Sequence, residues 1–134
     1  MSYILEFRRA RPDDVAAVRE APTPEAVRER GEFAASIDHS SSGGEWFRHE
    51  LLGRLAAAVL GGETVEHLLN RGGAAEESYP SVGWLSADEV AAALNDAGSL
   101  PEGTAAEDAK AVGTIVDALR SAARSGQGLV TVYG

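Results

Sequence analysis

The chain has no cysteine, one lysine, one methionine and only eight Phe, Tyr and Trp rings among 134 residues. Without cysteine there is no disulfide, no thiol nucleophile and no thiolate metal ligand. Positive charge is also scarce: 12 Lys and Arg stand against 21 Asp and Glu, a formal charge of −9. That balance argues against unaided binding to nucleic acid or to an anionic membrane. Long apolar runs are missing. The longest, Leu55 to Leu60, holds six residues, whereas a membrane span needs about 20. The first residues carry charge by Glu6 and show no apolar leader segment. The expectation is a soluble, cytoplasmic chain with neither a nucleic-acid nor a membrane partner.

What is present suits a single domain over residues 1–134. Val, Ile, Leu and Phe number 29, enough for a modest core. The 24 alanines point to close-packed helices, and with eleven Arg to one Lys they suggest a high-GC bacterial genome. Acids and bases balance, six against six, over residues 1–31. All the negative excess therefore follows Gly31, and Arg8, Arg9 and Arg11 mark the only stretch where a cationic patch could form.

Tyr3, Leu5 and Phe7 alternate with Glu6 and Arg8, the pattern of a half-buried strand. Pro12, followed by Asp13 and Asp14, opens a helix facing Val15 and Val18 inward. Thr23 caps a second, led by Pro24 and closed at Gly31. Ser40-Ser41-Ser42-Gly43-Gly44 reads as a loop. Phe47, Leu51, Leu55 and Val59 then recur at helical spacing over 45–60, weakened at Gly53 and ended by Gly61-Gly62. A short helix covers 63–70, a surface loop 71–81, and a short strand Val82 to Leu85. Ser86 and Glu89 form a capping box for a helix that buries Val90 and Leu94. A linker spans 97–103. Thr104 and Glu107 form a second box, opening the longest helix, with Val112, Ile115, Val116, Leu119 and Ala123 on one face. Leu129 to Tyr133 closes the chain as a strand. Pairing the N- and C-terminal strands gives a small sheet covered by about five or six helices, an α+β domain.

The order of these segments resembles the YfbM-like family of small, functionally uncharacterised bacterial proteins. The resemblance rests on Arg8-Arg9 after the opening strand, the Pro12-led helix, Trp46 before Leu51-Leu52-Gly53, Leu60-Gly61-Gly62-Glu63, Trp84-Leu85-Ser86-Ala87-Asp88-Glu89-Val90, and Gly126-Gln127-Gly128-Leu129-Val130. It implies an α+β fold and supplies no activity.

The densest polar cluster runs from Asp38 to Glu50. Ser40, Ser41, Ser42, Gly43 and Gly44 put hydroxyls and glycine amides before a helix, a composition suited to binding an anion. Arg48 could clamp a phosphate or carboxylate. Asp38, His39 and His49 are the candidate catalytic groups, the imidazoles as acid or base. On a wheel of about 100° per residue, Arg48 lies at about 100° from Phe47, inside the apolar arc of Phe47, Leu51, Leu55 and Leu52. A charge there must be paired, or the helix must break at Gly53.

His49-Glu50-Leu51-Leu52-Gly53 lacks the second histidine of the zinc-protease pattern. Glu45/His49 and Glu63/His67 are i,i+4 pairs that more often serve as surface contacts than as metal ligands. No metal or other cofactor is assigned. No phosphate-cradling Gly-x-x-x-x-Gly-Lys, dinucleotide fingerprint or nucleophile elbow occurs. Two readings follow. The first is a binding or interaction module, taking a small anionic ligand, or a basic protein partner through the acidic stretch 76–108. The alternative is a small phosphoester hydrolase built on Asp38, His39, Ser40, Ser41, Ser42, Arg48 and His49.

Overall fold

The computed structural model describes residues 2–71 and 80–134. Strand β1 (Ser2–Ala10) leads into helices α1 (Pro12–Glu20) and α2 (Pro24–Arg30), then β2 (Glu32–Ser40). A 3-10 turn (Ser41–Gly43) precedes a π-helix (Trp46–Ala56), which passes into α3 (Ala57–Leu60). Next come α4 (Gly62–Leu69), β3 (Ser81–Leu85), α5 (Ala87–Asn95), α6 (Ala106–Arg124) and β4 (Gly128–Tyr133). The four strands form one antiparallel sheet in the order β2-β1-β4-β3. The N- and C-terminal strands pair at its centre, and the fold is α+β as the sequence implied.

Three layers follow from strand alternation. Ala10, Val82, Trp84, Val130 and Val132 face α1 and α2 in one core. Leu5, Phe7, Leu85, Leu129 and Tyr133 face the other helices in a larger core. All six residues of β4 are buried because both its faces are covered. At Gly83 an added Cβ would stand 2.4 Å from the His67 carbonyl and 2.6 Å from that of Leu68. Only glycine lets the end of α4 lie so close to β3.

Local signals held where they were short. Thr23 caps α2 by accepting from the Ala26 N–H at 3.1 Å, and Ser86 and Glu89 complete the capping box of α5. The expected Thr104–Glu107 box does not form. Thr104 donates instead to the Pro101 carbonyl at 2.6 Å, and α6 starts after Ala105 without a side-chain cap. In α6, Ala122 is buried and Ala123 is exposed; in α5, Ala93 is buried while Leu94 is only partly so. Most of the loop expected over 71–81, with Glu76 and Glu77 of the acidic stretch, lies outside the described residues.

Strand β2 was not anticipated, and Asp38 to Ser40 belongs to it rather than to a loop. Its run Ala34-Ala35-Ser36 carries little apolar alternation. A register shift between Phe7 and Arg8, which pairs Phe7 with Ala35 but Arg8 with Phe33, interrupts the period further.

The helix after it is unbroken at Gly53, contrary to one expectation, but it is not α-helical. A π-helix closes i→i+5 hydrogen bonds and takes about 4.4 residues per turn, roughly 82° each. At that spacing buried Phe47, Leu51, Leu52, Leu55 and Ala56 span an arc of about 115°, with Arg48 about 30° beyond its edge. The conflict seen on an α-helical wheel disappears, and Arg48 is exposed.

Candidate functional site

The sheet ends in a cluster of rings. Tyr3 on β1 pairs with His39 on β2, and Tyr133 on β4 lies opposite Leu5, so alternation puts all three rings on the larger-core face. His39 lies between Tyr3, 5.4 Å away at 16°, and Phe47 of the π-helix, 4.3 Å away at 22°. Phe47 also stacks on Tyr133 at 5.3 Å. The helix is seated on the sheet through these aromatic contacts.

A directed hydrogen-bond chain crosses the cluster. His39 Nδ1 lies 2.7 Å from the Ser40 carbonyl oxygen. A carbonyl can only accept, so Nδ1 carries the proton in the neutral tautomer assigned from this network. His39 Nε2 is then the acceptor for the Tyr133 hydroxyl, 2.6 Å away. The Arg48 guanidinium lies 6.0 Å from the centre of the Tyr133 ring. Burial raises the Tyr133 pKa above the ordinary phenol value, and a hydrogen bond and the positive charge from Arg48 oppose that rise.

Beside the cluster opens a cleft of about 250 Å³. Tyr3, His39 and Tyr133 contribute aromatic surface to it. The remaining lining comes from Ser41 and Gly44 at the turn and from Glu45, Arg48 and His49 on the helix. Glu45, Arg48 and His49 are exposed, whereas His39 and Tyr133 are buried.

Five of the nine candidate residues are thus brought together: His39, Ser41, Gly44, Arg48 and His49. Asp38 is exposed and, one residue from His39 on a strand, points to the opposite face of the sheet. Ser40, Ser42 and Gly43 do not line the cleft; the Ser40 and Ser42 hydroxyls hydrogen-bond to each other at 3.0 Å. Sequence reasoning missed Tyr3, Glu45 and Tyr133 as parts of the site. The expected pairing of the terminal strands was the available signal for the two tyrosines, but the register that aligns them is set over long range.

A second polar cluster lies elsewhere. Arg71 donates to Glu89 at 2.7 Å and to the Trp84 carbonyl at 3.0 Å, with its guanidinium 5.5 Å from the Trp84 ring. The Arg71 hydrogen bond, against an opposing effect of burial, holds the Glu89 carboxyl at about 2. His67 lies 3.9 Å from Glu63 and 3.7 Å from Glu89. Among the described residues no group of three or more His, Asp or Glu side chains is placed to hold a metal ion.

Comparison with protein-family models, with curated proteins and with solved structures finds no match in any of the three.

Proposed function

We propose that this domain is a binding module that takes a small ligand bearing a carboxylate or phosphate group in the cleft at the end of the sheet. The observation that carries the reading is the Arg48 guanidinium at that cleft, beside Tyr133 and His49. A guanidinium presents fixed parallel donors that match both oxyanions. It projects from a helix anchored by Phe47 stacking on His39 and Tyr133, so little ordering is needed when a ligand arrives.

The phosphoester hydrolase has less support. Asp38 faces away from the cleft, and both ring nitrogens of His39 are engaged, with the Ser40 carbonyl and the Tyr133 hydroxyl. That leaves His39 without a lone pair to take a proton from an attacking hydroxyl or water. A basic protein partner on the acidic stretch also has less support: Glu89 is bonded to Arg71, and Asp108 accepts from Trp46 Nε1 at 3.0 Å. The YfbM-like resemblance and a bacterial, cytoplasmic setting remain part of this proposal and add no activity.

Thermal unfolding with added phosphate or propionate tests the reading. At ten times the dissociation constant, linkage stabilises the fold by about 1.4 kcal/mol. For a domain of this size the midpoint should rise by about 5 °C. Arg48→Ala should abolish the rise. A midpoint unmoved by any small carboxylate or phosphate compound, zwitterions included, would refute the site.

A further inference from the structure

We propose that the ligand of this cleft is a zwitterion, a free α-amino acid with an apolar or aromatic side chain, whose carboxylate meets Arg48 and whose ammonium meets Glu45. The inference rests on the binding reading above and adds the second charge.

Both signs of charge line the same wall. Glu45, Arg48 and His49 all line the cleft beside its aromatic surface. Among the described residues Glu45 enters no ion pair. A simple anion seated on Arg48 would share the cleft with a carboxylate that has no ion-pair partner among the described residues. A ligand carrying an ammonium next to its carboxylate turns that repulsion into attraction.

The field of the whole chain acts in the same direction. With a formal charge of −9, the protein repels a free anion at long range, whereas a zwitterion has no net charge to repel. Size sets the class further. A cleft of about 250 Å³ falls just below the roughly 300–1,000 Å³ of sites for drug-sized ligands. An amino acid fits that space. Its side chain would lie against the partly exposed Tyr3, whose ring suits apolar and aromatic groups.

Isothermal titration calorimetry at pH 7 with the intact chain tests this. The probes are L-phenylalanine, its deaminated analogue 3-phenylpropionate, its decarboxylated analogue phenethylamine, and inorganic phosphate. L-Phenylalanine should bind at least tenfold tighter than either analogue. Glu45→Gln should remove that advantage over 3-phenylpropionate while leaving 3-phenylpropionate binding undiminished, and Arg48→Gln should weaken both. Circular dichroism would show that each variant is folded, as their exposed positions predict. If 3-phenylpropionate or phosphate binds as tightly as L-phenylalanine and Glu45→Gln changes nothing, the zwitterion is overturned and the anion site stands. Should phenethylamine match L-phenylalanine, the carboxylate requirement is overturned. If no probe binds, the binding reading and this inference fall together.

Discussion

At the scale of single residues, the polar groups divide by how far away their partners lie. Thr23 and Ser86 act on N–H groups three residues ahead, so their capping roles were legible in the sequence. His39 and Tyr133 meet across 94 residues, and no local pattern could announce that bond. Tyr133→Phe should leave His39 Nε2 buried without its donor. A loss of about 1–2 kcal/mol is expected in urea denaturation, from one unsatisfied buried acceptor. Glu89 sets an acid limit. Its folded pKa of about 2 lies below the ordinary value of 4.5. The stabilisation is therefore full above about pH 4.5 and is lost as pH falls towards 2. Its side chain is 35% exposed, so solvent screening reduces the contribution to about 1 kcal/mol. Stability measured from pH 6 down to 2 should fall less steeply in Glu89→Gln than in the unaltered protein, by about that amount.

At the scale of elements, the helix over 46–56 shows how a correct assignment of type can hide the wrong register. Apolar residues every four positions fit an α-helix and a π-helix about equally well. Only Arg48, stranded among leucines on the α wheel, signalled that the period was longer. The π register also brings the Arg48 carbonyl to 3.0 Å from where a Cβ on Gly53 would stand. This makes a test by sign. In an exposed α-helix Gly→Ala stabilises by about 1 kcal/mol. Here Gly53→Ala should give no gain and should lower the unfolding midpoint, because the new methyl presses on that carbonyl. A clear stabilisation in thermal melts would refute the π register. Strand β2 was hidden for another reason. As an edge strand with a register shift, it is held by backbone pairing with β1 more than by a row of large apolar side chains.

At the scale of the molecule, the α+β class and the pairing of the two terminal strands were legible because both strands are apolar and flank a helical middle. The order of strands was not, and neither was the division of helices between two faces. Both depend on β4, whose residues serve two cores alternately. Deleting residues 128–134 should therefore abolish cooperative unfolding by circular dichroism rather than produce a less stable native form. The same pairing imposes a schedule on synthesis. Of these four strands β1 is made first, yet one of its two neighbours in the sheet, β4, follows all the others. While the intervening residues emerge, Leu5 and Phe7 lie in a strand paired only with β2, and the loop that must close before β1 meets β4 spans residues 11–127. The domain therefore carries β1 incompletely covered until β4 emerges, and only then does it acquire both its central sheet pairing and the floor of its cleft.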